Sequence, residues 1–444
     1  MLLFSADIGT SSLKAAVMDE SGRTLGTFWR TYDLKVSGDR VELNADEVYG
    51  AFISAAREAF HAHPEIEGVA FDAFAPSLTL MDGEGRAVSP VFTHMDRRSR
   101  AESRRIQSLI PPEAYLARTG VLPYAGGVSA TSLLWLKLHR EALFRGAFKA
   151  GHFTTLLFRR LTGQWGMDGV NASMTGLFNT FSGGWSGEIL SALGIPPDML
   201  PPIREPWDAP AALSKEAARL MGARSGIPVF MGTQDVSAAQ AGAGNAAPGD
   251  ALMTSGSSEM LSVLCANPEP HEKYYVRRAA APGLWQVFAI GIGGFAIEWF
   301  RKTLCADLSE ETFYNRFLPE KLFGCHVPGN VRFRPYLAGD RHSMAKKRGA
   351  FTGLTLGTTR DDLLMALVAG IQTPLTDALA LLEAKGIPVR QPMKITGNLA
   401  QMEEYLEFKR GVFKGCAFER VEGSPLMGNM RLALSSLEGR RDRG

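Results

Sequence analysis

Hydrophobic and polar positions follow two periods along this chain, and the switches between them outline its elements. Residues 2–6 are an apolar run ending at Asp7 and read as a buried strand. Asp19-Glu20-Ser21-Gly22-Arg23 supplies turn chemistry, and 24–34 reads as a second strand paired as a hairpin. Asn44 is predicted as an N-cap with Glu47 as its capping-box partner. A helix follows to about His61, with Val48, Phe52, Ala55, Ala56 and Ala59 on one face. Residues 68–74 return as a strand, and Asp82-Gly83-Glu84-Gly85 turns into 90–93. From 100 to about 225 the pattern is mostly helical, broken at Pro111-Pro112, Gly126-Gly127 and 196–202.

The strand–turn pattern then begins again. Residues 229–231 read as a strand, with Asp235 after its turn. Residues 251–254 and 260–264 flank Ser255-Gly256-Ser257-Ser258. A long helix is predicted over 361–384, then a strand over 394–396 entering Gly397-Asn398, then a helix from about Gln401. The pattern gives two α/β domains of similar size, 1–240 and 241–444.

Three turns carry candidate chemistry. Asp7-Ile8-Gly9-Thr10-Ser11-Ser12 ends a strand. Glycine admits close backbone approach, and successive N–H groups there form an anion-binding nest. An Asp at the strand end can hold Mg²⁺ through water; the same residues also make an ordinary hairpin turn. Gly249 to Ser258 repeats the logic of strand, glycine and hydroxyls. Ile395-Thr396-Gly397-Asn398 can pass under a nucleoside, or simply connect strand to helix. Asp235 opens a helix of small residues, 237–244, and is the best candidate for accepting the proton of an attacking hydroxyl, with an N-cap as its structural alternative. Asp96-Arg97-Arg98 offers charge-assisted hydrogen bonds to a polyol, or a surface ion-pair cluster.

Bulk properties narrow the field. The 444 residues suit two domains, and 45% hydrophobic content suits ordinary cores. A formal net charge of +2 with no long Lys/Arg run predicts no nucleic-acid partner. Cys265, Cys305, Cys325 and Cys416 form no Cys-x-x-Cys pair, so neither a zinc site nor a disulfide framework is expected, and a reducing cytoplasm is. The start lacks the charge and apolar length of a signal peptide, and the longest apolar run, 287–297, is too short to span a bilayer. No membrane partner is expected.

These residues resemble the FGGY carbohydrate kinases over about residues 2–438. Asp7-Ile8-Gly9-Thr10-Ser11 is similar to the family's first phosphate motif, and Gly232-Thr233-Gln234-Asp235 to the segment whose Asp is the catalytic base. Pro248-Gly249-Asp250-Ala251 with Gly256-Ser257-Ser258 resembles the second phosphate motif. The stretches from Arg334 to Arg341 and from Arg348 to Leu354, and Asp168 with Asn171-Ala172-Ser173, fit as well. The resemblance implies two ribonuclease-H-like α/β domains of the actin/hexokinase/Hsp70 superfamily with a cleft between them. It also implies ATP, Mg²⁺ and a sugar or polyol acceptor. Asp235 is then the general base, with Asp7 and Asp235 at the metal. Gly9, Thr10, Ser11, Ser12, Lys14, Gly256, Ser257, Ser258, Gly397 and Asn398 would hold the nucleotide, and Ser77, Asp96, Arg98 and Asp235 the sugar.

Xylulokinase-like members carry Gln-Met-His-Gly and Trp-Asn-Asp where this chain has Phe74-Ala75-Pro76-Ser77 and His94-Met95-Asp96. Gly397-Asn398-Leu399 has fewer glycines than the usual adenosine motif. The loop 341–348 is about two residues short by analogy, and members usually continue with further helix after Gly428-Asn429-Met430-Arg431. A pentulose acceptor is the expectation. The alternatives are gluconate, glycerol or a tetritol, or a catalytically weak sugar- or nucleotide-binding relative. A homodimer is expected at family level only.

Overall fold

The computed structural model describes the chain except residues 324–328, 338–346, 423 and 442–444. Two sheets share one strand order. In the first, Leu2–Ile8, Ser12–Asp19 and Thr24–Thr31 run antiparallel in sequence; Gly68–Ala73 lies parallel to Leu2–Ile8, and Pro228–Val229 parallel to Gly68–Ala73. In the second, Ala251–Ser255, Ser258–Cys265 and Trp285–Ile292 repeat the meander, and Met393–Thr396 and Phe418–Arg420 repeat the parallel additions. Each sheet thus reads third, second, first, fourth, fifth. This is the duplicated two-domain fold expected. Equivalent first hairpins place the Gly9–Ser12 and Ser255–Ser258 turns at matching points.

The parallel central strands are buried on both faces, which is why they read as nearly continuous apolar runs. Phe4 meets Phe52 of helix Ala45–Ala62 edge-on, with ring centroids 5.6 Å apart. Asn44 caps that helix, accepting from the Asp46 and Glu47 N–H groups. The expected capping box is not formed: Glu47 instead accepts from the Asp33 backbone N–H at 3.0 Å, tying the helix to the preceding loop.

Other boundaries are corrected. The helix expected over 361–384 is two helices, Arg360–Gly370 and Thr373–Ala384, divided where Pro374 lacks an N–H to continue the ladder. The whole stretch is long and apolar enough to cross a membrane by length and composition. However, 61% of its most apolar window is buried inside the protein, as in a core helix. The helix expected from Gln401 starts at Glu403, after a 3₁₀ turn over Asn398–Gln401.

Helix Pro425–Arg441 returns to the first sheet, where Met430 and Ala433 pack with Leu3, Ala16, Ala70 and Phe230. It crosses helix Asp235–Gly242 at very close range. A Cβ on Gly428 would strike the Ala238 carbonyl, and one on Gly242 the Ser424 carbonyl. Gly428→Ala is therefore expected to destabilise by about 1–3 kcal/mol through overpacking, read as a lower thermal midpoint than wild type.

Candidate active site

A cavity of about 940 Å³ takes its walls from both halves of the chain. Asp235 lines it, as do Gly256, Ser257 and Ser258. Asp235 is the first residue of its helix, directly after strand Thr233–Gln234. Gln234 is the N-cap and accepts from the Ser237 N–H, so the N-cap reading of Asp235 is corrected. The Asp235 carboxylate accepts from the Val236 N–H at 2.7 Å and from the Gln234 amide. Burial, and then the charge of Asp7, raises its pKa to about 7, which suits a base working near neutrality.

A buried chain of hydrogen bonds supports this strand from behind. Thr233 donates to Asp168 at 2.6 Å, and Asn171 donates to the other Asp168 oxygen at 2.6 Å. Asn171 meets His152 at 2.8 Å, and His152 meets Ser129 at 2.7 Å. Serine, histidine and carboxylate in series resemble a nucleophilic triad. Yet all of these side chains are sealed from solvent, and burial holds His152 down to about 4 and neutral. Its role is to fix the approach to Asp235.

Asp7 lies opposite both Lys14 and Asp72 in the sheet. Asp72 was not foreseen as a site residue. It is fully buried, and Asn429 from the returning helix donates to it at 2.6 Å. Its other oxygen has no donor among the described residues, and the Asp7 carboxyl lies close enough to act on it. Burial, with Asp7 and Asp235 nearby, drives the Asp72 pKa well up, and burial also raises that of Asp7.

The Gly9 N–H donates to the Ser12 carbonyl at 2.9 Å, and the buried Tyr32 hydroxyl reaches the Gly9 and Ser12 carbonyls. Thr10 and Ser12 are half-buried, while Ser11 and Lys14 are exposed. None of Asp7, Gly9, Thr10, Ser11, Ser12 and Lys14 lines the cavity itself; Asp7 connects to it electrostatically through Asp235.

The second turn is built more firmly. Gly294 and Phe295, opening helix Gly294–Leu304, donate to the carbonyls of Gly256 and Ser257. Beneath it, Ser255 donates to Glu259 at 3.0 Å, Lys409 pairs with Glu259 at 2.8 Å, and Tyr405 donates to Glu259 at 2.6 Å. Gln372 accepts from Lys409 at 2.8 Å. Gly397, at φ +104°, passes so close to Ser255 that a Cβ would strike its carbonyl. Gly397 and Asn398 do not line the cavity, and Asn398 is exposed.

The expected sugar ligands other than Asp235 are turned elsewhere. Ser77 is buried and accepts from the Phe153 N–H. Asp96 accepts from the Val41 N–H at 2.9 Å and pairs with Arg98 at 2.6 Å, while Arg98 also pairs with Glu42 and stacks over Phe92. Their neighbours reach the cavity instead: Pro76 beside Ser77, and His94, Arg97 and Arg100 around the Asp96–Arg98 pair.

Arg277 was also missed. It lines the cavity while only 3% exposed. Its Nε donates to Gln286 at 3.0 Å, and Gln286 also accepts from Ser237 on the Asp235 helix at 2.9 Å. Burial lowers its pKa to about 10, leaving it charged at neutral pH, with Asp235 favouring that charge. The lone Asp inside Gly68–Ala73 and the Arg277-Arg278 pair in an otherwise apolar strand were the available signals for these two groups.

Of the family motif from Arg334 to Leu354, residues 338–346 lie outside the described residues; Tyr336, Leu337, Lys347, Arg348 and Gly349 line the cavity.

Comparison with known proteins agrees with this architecture. The pattern defining the "FGGY family of carbohydrate kinases, N-terminal domain" matches residues 2–242. The chain is similar to the xylulose kinase of Staphylococcus xylosus, 23% identical over 94% of this chain and 86% of that protein. It is also similar to the gluconokinase of Bacillus subtilis, 25% identical over 93% of this chain and 83% of that protein. The crystal structure of xylulose kinase from Rhodospirillum rubrum superposes with a TM-score of 0.90 at 23% identity, covering 100% of this chain and 91% of that one. With a duplicated fold, an Asp on the cavity that the hydroxyl-bearing Gly256–Ser258 turn also lines, and a family pattern over more than half its length, this chain belongs to the FGGY family of carbohydrate kinases.

Proposed function

We propose that this carbohydrate kinase transfers the terminal phosphoryl group of ATP to one hydroxyl of a small sugar or sugar derivative, with Asp235 as general base. The observation that carries the reading is the placement of Asp235 on the same cavity as the Gly256–Ser258 turn. The Asp235 carboxylate takes the hydroxyl proton, the freed oxygen bonds to phosphorus, and the bond from phosphorus to the leaving ADP breaks. Backbone N–H groups and hydroxyls of the two turns are assigned to the phosphates, and the passage at Gly397 to the nucleoside.

The donor set fits Mg²⁺. Burial raises the pKa values of Asp7 and Asp235, and the charge of Asp7 raises that of Asp235 further; a cation would stabilise both carboxylates. Among the described residues no group of three or more metal-ligating side chains is assembled, as suits an ion held by one or two carboxylates together with substrate phosphates. Asp7 and Asp235 would hold it, and when bound it neutralises phosphate charge.

The proposal divides the chain near residue 240, with helix Pro425–Arg441 returning to the first sheet, and sets the enzyme in the cytoplasm, where the free Cys265, Cys305 and Cys416 remain reduced. A pentulose acceptor rests on the resemblance alone. The test is ADP release from purified protein against a panel of pentuloses, alditols and aldonates. Release is expected with at least one of them, and no acceptor-dependent release on the whole panel would refute the reading.

A further inference from the structure

Arg277 carries a buried charge without an anion. Among the described residues it forms no salt bridge. Its Nε is held by Gln286, one Nη reaches only the thioether of Met174, and the other Nη has no acceptor. The face of Phe288, 4.1 Å from the guanidinium carbon, offsets part of the charge. A buried charge is ordinarily paired, because its desolvation otherwise goes uncompensated. Here the wall of the substrate cavity holds the cation, so a ligand entering the cavity is placed to bring the anion.

Strand register decides which ligand. Arg277 pairs with Gln286, and Gln286 with Leu264. The phosphate turn opens onto the same strand at Ser258, six residues away. At about 3.4 Å per residue that is roughly 20 Å along the sheet, with two further strand spacings across it. An arginine side chain does not bridge that gap, so the phosphates held by the turn are out of its reach. Asp235, by contrast, is close enough to act on Arg277 electrostatically, and Gln286 couples Arg277 to the Asp235 helix through Ser237. The anion therefore lies at the Asp235 end of the cavity, where the acceptor is placed, and not in the turn. Arg97 and Arg100 line the same cavity and add positive charge, whereas Asp235 is its only acidic lining residue among those described.

Resting on the kinase reading above, we propose that the acceptor is a sugar acid whose carboxylate is bound by Arg277 while a hydroxyl elsewhere on its chain meets Asp235. Arg277 is then the residue that selects a carboxylate over a neutral polyol. A guanidinium–carboxylate pair in a desolvated site discriminates strongly, because the neutral analogue leaves the cation unpaired.

The test compares aldonates with alditols of the same carbon skeleton, in wild type, Arg277→Gln and Arg277→Lys. Wild type is expected to favour an aldonate. Arg277→Gln should raise the aldonate KM by about 10- to 100-fold, the scale of one charged hydrogen bond, while leaving the KM for ATP unchanged and narrowing the aldonate preference. Arg277→Lys should recover part of the loss. Calorimetric binding of the same aldonates without ATP gives an independent readout. If no acceptor is phosphorylated but an aldonate binds wild type and not Arg277→Gln, the kinase reading fails and the carboxylate site stands. Preference for alditols or ketoses over aldonates would overturn the proposal. So would an Arg277→Gln loss confined to kcat and equal for all acceptors, and so would absence of aldonate binding. If Arg277→Gln does not fold, the wild-type preference and Arg277→Lys decide.

Discussion

Asp235→Asn is expected to lower kcat by about 100- to 10,000-fold, the range supplied by a positioned general base. The acceptor KM should change little. The asparagine keeps the shape of the side chain, and its amide oxygen still accepts from the Val236 N–H, so the helix start and the cavity wall survive. What it cannot do is take a proton from the acceptor hydroxyl. Loss of kcat and kcat/KM in equal measure is the signature of an interaction made in the transition state. Steady-state ADP release with the best acceptor measures it. A variant retaining more than a tenth of wild-type kcat would remove Asp235 from the base role.

The second large effect falls on stability. Lys409→Met should destabilise the protein by about 3–5 kcal/mol, because it leaves the fully buried carboxylate of Glu259 without its cation. The same carboxylate accepts from Ser255 at the mouth of the second phosphate turn and from Tyr405. Loosening it should therefore also raise the KM for ATP. Adding Glu259→Gln to Lys409→Met removes the unpaired charge while keeping an acceptor for Tyr405, and should return part of the lost thermal midpoint. A single variant that melts at the wild-type temperature would show that the pair contributes nothing.

Much of this arrangement was legible in the chain because its signals are local. Asp7 and Asp235 each follow an apolar strand and precede small residues, and the two phosphate turns pack glycine and hydroxyls into a few positions. Their repeated order predicted the duplication that the two sheets display. Asp72 escaped because its role depends on register. Within Gly-Val-Ala-Phe-Asp-Ala nothing indicates that its carboxyl will face Asp7, a residue of a strand more than sixty positions earlier. The Asp96–Arg98 pair misled for a related reason. Side-chain direction in an irregular segment is set by packing, and Val41, Glu42 and Phe92 draw that pair inward while Arg97 and Arg100 reach the cavity. The Glu47 capping box and the single helix over 361–384 failed where a distant backbone N–H, at Asp33, and Pro374 competed with the local pattern. For Arg277 the Arg277-Arg278 pair in an apolar strand was the available signal, while Lys409 is invisible as a site residue without the fold, since only its burial separates it from an ordinary surface cation.

The central claim is that phosphoryl groups pass from ATP to a sugar hydroxyl at Asp235 rather than to water. Mass spectrometry of reactions containing ATP, Mg²⁺ and each acceptor of the panel tests it directly, with wild type beside Asp235→Asn. The account predicts a phosphorylated acceptor formed in step with ADP by wild type, and at most a trace with the variant. ATP consumed to ADP and inorganic phosphate with no phosphorylated acceptor, or phosphorylated acceptor formed equally by both proteins, would contradict it.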